Sequence, residues 1–161
     1  MRVEGNGIVV ARFTRQIPPP VVRGGYARQR RHVQADFEHL CAYCLIPEHL
    51  ACGEENFEID HLRPQRYFKD HIDYYYNLYW SCHVCNKKKW EHWPAPELLK
   101  IGIHYVDFCV DLFDDHYRQE ADGRLSPLSL AGKYTIDVLS LNRGHLVRLR
   151  HVYASQGIFF R

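Results

Sequence analysis

Four cysteines stand as two close pairs, Cys41-Ala42-Tyr43-Cys44 and Cys82-His83-Val84-Cys85. A two-residue spacer lets both thiolates of a pair face one ion about 2.3 Å away, and two such pairs fill the tetrahedral shell of Zn²⁺. Four sulfur ligands leave no open position for water, so this zinc is expected to be structural. Disulfides fit less well, because the opening Met1-Arg2-Val3-Glu4-Gly5 lacks the order of a secretory signal. Thioredoxin-like chemistry would need one pair at a helix start in a parallel α/β pattern, and no such alternation is present. Cys52 and Cys109 stand apart and are expected to be ordinary reduced thiols, Cys109 within an apolar stretch. His83 is not needed as a ligand, and its default place is the surface.

A second set of groups suits hydrolysis. Between the cysteine pairs runs Ile59-Asp60-His61-Leu62-Arg63-Pro64, followed by Asn77-Leu78 and then Cys85-Asn86-Lys87-Lys88-Lys89. An imidazole with an ordinary pKa of about 6.5 can take a proton near neutral pH. A carboxylate and an amide oxygen suit a hard cation such as Mg²⁺ or Mn²⁺ and leave positions for water and phosphate. The order Cys-x-x-Cys, Asp-His-x-x-Pro, Asn-Leu, Cys-x-x-Cys-Asn resembles the zinc-containing branch of the HNH endonucleases, over roughly Cys41 to Trp90.

That resemblance implies a ββα-metal core, two strands and a helix gripping one divalent metal, and cleavage of nucleic-acid phosphodiester bonds, with DNA as the substrate and a 5′-phosphate product. It implies His61 as general base, Asp60 and Asn86 as holders of Mg²⁺ or Mn²⁺, and Asn77 as a support hydrogen-bonded to the segment bearing the base. Arg63, Lys87, Lys88 and Lys89 are expected to contact nucleic acid, although a solvated helix face explains the lysines as well. Leu139-Ser140-Leu141-Asn142-Arg143, with Leu146 and Arg150, is similar to the tail of small bacterial HNH proteins, some encoded with an ATPase in anti-phage defence. An ATPase partner is therefore an expectation, while Asn142 also suits plain helix capping. The rivals are a zinc module that binds nucleic acid or protein without catalysis, and a structural subunit of a larger complex.

The elements that must carry these groups follow from periodicity. Val33, Phe37 and Leu40 predict an amphipathic helix over 26–40 leading to the first cysteine pair. Phe57–His61 and Asn77–Ser81 predict strands, and 86–92 a helix that Pro94 stops. Neighbours on a regular strand face opposite ways, so β structure is expected to end or distort at Asp60-His61, with Pro64 close behind. Further on, Asp122-Gly123 between Tyr117 and Leu125 predicts a hairpin, and two helices follow, one with Ile136 and Leu139, the other with Leu146, Leu149 and Tyr153. The expected organisation is α+β: a basic Pro/Gly-rich arm over 1–25 and one domain over 26–161, with its core at 41–93 and the hairpin and helices at 103–161.

The net charge of +2 in 161 residues says little about partners, but its distribution says more. Arg2, Arg12, Arg15, Arg23, Arg28, Arg30 and Arg31 face the single acid Glu4, and Arg143, Arg148, Arg150 and Arg161 crowd the other end. Both ends could attract phosphate, or be solvated surface. No apolar run approaches the roughly 20 residues that span a bilayer, so no membrane role is expected and the expected location is the cytoplasm. Tyr74, Tyr75, Tyr76, Trp80, Trp90 and Trp93 could stack on bases, though such aromatics more often pack a small core.

Overall fold

The computed structural model describes residues 12–19 and 24–157, together with the pairing of three two-residue strands near the ends. In chain order the elements are β1 (Val3–Glu4), β2 (Ile8–Val9), α1 (Arg30–Asp36), β3 (Phe57–His61), β4 (Leu78–Cys82), α2 (His83–Lys89), α3 (Pro96–Lys100), α4 (Phe113–His116), β5 (Tyr117–Gln119), β6 (Leu125–Pro127), α5 (Leu130–Leu139), α6 (Gly144–Ser155) and β7 (Phe159–Phe160). They gather into two compact units, one of Phe13–Trp93 and one of Met1–Arg12 with Pro94–Arg161. The fold class is α+β, with a β3-β4-α2 core. Arg2, Arg23, Arg161 and Pro20 of the basic ends lie outside the described residues.

In the unit Phe13–Trp93, β3 and β4 pair antiparallel from Phe57↔Cys82 to His61↔Leu78, and α2 follows β4 directly. β4 is buried along its whole length, which suits the run Leu78-Tyr79-Trp80-Ser81-Cys82. Val33 and Phe37, one helical turn apart, put α1 against this hairpin, and the rings of Phe37 and Tyr79 lie 5.1 Å apart. The helix is shorter than its apolar period suggests. A 3₁₀ turn occupies Tyr26–Gln29, and Glu38 and His39 take positive φ before Leu40.

Phe13 and Arg15, placed by sequence in an extended arm, are packed here. The Arg15 guanidinium pairs with Asp36 at 2.9 Å, donates to the Tyr75 carbonyl at 2.8 Å and lies over the Tyr75 ring, while the Tyr75 hydroxyl donates to the same Asp36 oxygen. Removing one member of such a buried pair costs about 3–5 kcal/mol, because the other charge is stranded. Arg15 is therefore interior structure, and no phosphate-binding cation.

The second unit holds the predicted hairpin, β5 and β6, and the two predicted helices, α5 and α6. Ser129 caps α5, its side chain accepting from the Gly132 N–H at 2.9 Å. A Cβ on Gly132 would stand 2.2 Å from the His116 carbonyl oxygen, so this contact requires glycine.

Asn142 does not cap the last helix; Arg143 holds that position without capping the helix, its guanidinium donating instead to the Leu139 carbonyl at 3.3 Å. The Asn142 amide instead accepts from the Leu125 N–H at 2.7 Å and donates to the Leu125 carbonyl at 2.8 Å. Arg150, read as part of a phosphate-attracting end, is buried on α6 one turn from Leu146 and donates to the carbonyls of Gly123 and Leu141, each at 2.7 Å. No helix among the described residues is long and apolar enough to cross a membrane.

Candidate active site and metal centre

Cys41 and Cys44 sit in the turns before Ile46, Cys82 ends β4 and Cys85 lies one turn into α2. The Ala42 N–H donates to the Trp80 carbonyl at 2.7 Å, which ties the first pair to the strand bearing the second. All four sulfurs lie within 4.8 Å of one another, and Cys44 Sγ is 3.9 Å from Cys82 Sγ. Bonds of about 2.3 Å in a tetrahedron separate sulfurs by about 3.8 Å, so the residues fit a zinc ion. The electrostatics agree. Burial pushes the Cys41 thiol up, but hydrogen bonds from Cys44, Cys82 and Cys85 outweigh it and hold its pKa well below the ordinary value. Its neighbours then push Cys82 and Cys85 well above theirs, the position of thiols that need a cation before all can ionise.

A cleft of about 500 Å³ opens beside β3 and α2, lined among others by Glu58, Asp60, His61, Asn86, Lys87 and Trp90. β3 ends at His61, and alternation turns the two key side chains apart: Asp60 toward Tyr43 and Lys89, His61 toward Gln65 and Ile72. A carbonyl can only accept, so His61 Nε2, 2.9 Å from the Ile72 oxygen, carries the ring proton. That leaves Nδ1 with the lone pair, which accepts from the Gln65 amide at 2.9 Å. Burial lowers the His61 pKa from its usual value, against the pull of the Ile72 carbonyl and Asp60, which favours the neutral ring with its Nδ1 lone pair available.

Asp60 is buried, and burial raises its pKa while the Lys89 ammonium and the Tyr43 hydroxyl, both bonded to it, pull the other way. Asn77 is buried; its Oδ1 accepts from the Arg63 N–H at 2.8 Å and its Nδ2 donates to the carbonyls of Arg63 and His71, each at 3.1 Å. Asn86 donates to Glu58 at 2.5 Å, and the other Glu58 oxygen meets His83 Nδ1 at 2.6 Å, so His83 lies exposed in a surface pair. Asp60 and Asn86 thus line one cleft but are held by different partners. With Glu58 they supply hard oxygen donors, the type that Mg²⁺ and Mn²⁺ prefer.

Arg63 is exposed with its guanidinium over Phe68, Lys87 is exposed in the cleft wall, and Lys88 is half-buried. Lys89 departs from expectation. It is wholly buried, with Nζ 2.7 Å from the His61 carbonyl and 3.1 Å from Asp60, so it cannot be a surface contact to phosphate.

Spacing could have found Glu58, since it shares the Asp60 face of β3 two residues away. Nothing local announces Tyr43 or Gln65. The predicted end of the helix also changes: α2 closes at Trp90 and not before Pro94, with φ 46° and ψ −125°. The His92 N–H donates to the Lys89 carbonyl at 2.8 Å, and the Trp90 side chain is 69% exposed at the cleft wall.

Residues 41–91, about a third of the chain, match the family model described as HNH endonuclease. No match was found among curated proteins.

Proposed function

We propose that this protein, whose residues 41–91 carry an HNH endonuclease domain, hydrolyses phosphodiester bonds in DNA with His61 as general base. The observation that supports this reading most is the fixed tautomer of His61. Its Nε2 proton is engaged by the Ile72 carbonyl and its Nδ1 lone pair is turned to the Gln65 amide in the cleft. Water taking the place of that amide hydrogen would give its proton to Nδ1, and the resulting imidazolium is favoured by the Ile72 carbonyl and then by the Asp60 charge, against the Lys89 ammonium. Asp60 and Asn86 would hold Mg²⁺ or Mn²⁺, which when bound supplies charge stabilisation at the phosphoryl oxygens. Lys87 stands where it can meet a phosphate, and Asn77 fixes the Arg63 backbone behind the base.

The zinc stays structural in this scheme. Cytoplasmic anti-phage defence with an ATPase partner belongs to the same proposal, and rests only on the similarity of 139–150 to small bacterial HNH proteins; co-purification of an ATPase with the tagged chain tests it.

One observation favours a binding module without catalysis: the Lys89 ammonium already sits on the Asp60 carboxylate. Nicking of supercoiled plasmid by zinc-loaded protein decides between the two. With Mg²⁺ or Mn²⁺, wild type should nick, and His61→Ala, with its zinc retained, should be slower by about 10²–10⁴-fold. Inert wild-type protein that still binds DNA would favour the module; cutting undiminished in His61→Ala would sink the base assignment.

A further inference from the structure

A tryptophan holds a position that backbone sterics reserve for glycine. The φ and ψ of Trp90, 46° and −125°, with the His92 N–H on the Lys89 carbonyl, are those of the first central residue of a type II′ turn. An L side chain there is strained, and a large ring that is 69% exposed gains little from packing to offset it. The other two tryptophans behave differently: Trp80 is fully buried, and Trp93 lies edge-on to Phe68 at 5.4 Å. Strain and exposure together point to a use for this side chain outside the chain's own packing. Trp90 lines the same cleft as His61, Asp60, Lys87 and Tyr26. The Tyr26 ring is committed edge-on to His61 at 4.6 Å, which leaves the indole as the open aromatic face of the cleft.

We infer that Trp90 stacks on an unpaired base next to the phosphate held in the cleft, so that the preferred substrate is single-stranded or locally unpaired DNA. This rests on the nuclease reading for the position of the phosphate, but not for the stacking itself. A base inside a duplex offers its faces to neighbouring base pairs, whereas an unpaired base can leave the stack and meet an indole. Such stacking tolerates any base, because every base has a π face. Selectivity would follow strand state and not sequence.

The test uses the zinc-loaded chain without added Mg²⁺ or Mn²⁺, so that binding is read apart from cutting. Anisotropy of a labelled 12-nucleotide mixed-sequence single strand and of its blunt duplex is compared for wild type, Trp90→Gly and Trp90→Phe. Wild type should prefer the single strand, and Trp90→Gly should weaken that binding by about ten- to a hundredfold while leaving duplex binding within about twofold. Trp90→Phe should stay within a few-fold of wild type. Glycine relieves the turn, so Trp90→Gly should melt about 2–4 °C higher even as it binds worse, a split that a structural role cannot give. A Trp90→Gly variant that melts lower, binds single strand as well as wild type, or loses both ligands equally would overturn the inference. Plasmid nicking reports separately on the nuclease: stacking without cutting would sink that reading alone, and cutting without stacking would sink this one alone.

Discussion

At the scale of the residue, the site turns on which protons can move. The folded pKa of His61 is depressed by burial, so between that value and the ordinary one of about 6.5 the unfolded chain binds a proton that the folded chain refuses. The contribution of His61 to stability is then complete above about 6.5 and is lost as pH falls through that window. An NMR titration of the imidazole in zinc-loaded protein should show a midpoint below that of a free histidine. Gln65→Ala should raise it, because the Gln65 N–H bonds a lone pair that only the neutral ring offers; a midpoint unmoved by this change would refute the role given to Gln65.

Lys89 and Lys87, two residues apart, should separate cleanly. Lys89→Met leaves Asp60 buried without its ammonium and should cost about 3–5 kcal/mol in denaturant unfolding, with Asp60→Asn on the same chain restoring much of it. Lys87→Ala should leave stability alone and flatten the salt dependence of DNA binding, by about 0.7–0.9 in the log–log slope if it neutralises one phosphate.

At the scale of the element, the hairpin and helix work as a frame whose parts are held by unlike means. The four cysteines fasten the chain before β3 to the end of β4 and the start of α2, while Asn77 fastens the stretch after β3 to the start of β4. Asn77→Ala would strand one N–H and two carbonyls, and the result expected of the proposed mechanism is a large fall in kcat with little change in KM, since the proposed base is misplaced and the Lys87 side of the cleft is untouched. A change confined to KM would count against it.

What the sequence makes legible at this scale is what chemistry fixes at short range. The Cys-x-x-Cys spacers, the Asp-His step, the alternation of β3 and the Asp122-Gly123 turn all act within a few residues. Arg15 with Asp36, or Lys89 with Asp60, joins segments far apart in the chain, and a charged residue destined for the interior looks locally like one bound for solvent. The end of α2 escapes the sequence for a related reason: Pro94 is the local stop signal, whereas the chain bends at a tryptophan that propensity would never choose for positive φ.

At the scale of the whole molecule, two compact units with separate cores imply that the metal governs only one of them. Chelation of zinc should abolish hydrogen-exchange protection in β3, β4 and α2, while the amides around Leu139, Leu141 and Leu146 exchange as slowly as before. Simultaneous loss in both units would show that they unfold as one. The basic composition also means less than it suggests. Arg15 and Arg150 spend their charge inside the fold, so the positive surface that the described residues offer to nucleic acid is narrower than the arginine count.

The bidentate amide of Asn142 carries a further consequence. A short hairpin leaves on each outer strand a row of backbone groups that another chain can extend, a template for edge-to-edge aggregation. At Leu125, the apolar residue of β6, that invitation is already answered from within, because one side chain supplies both the donor and the acceptor that a foreign strand would bring. Asn142 is in effect a one-residue counterfeit strand, and its loss would show first as a protein that clumps on standing while still folding.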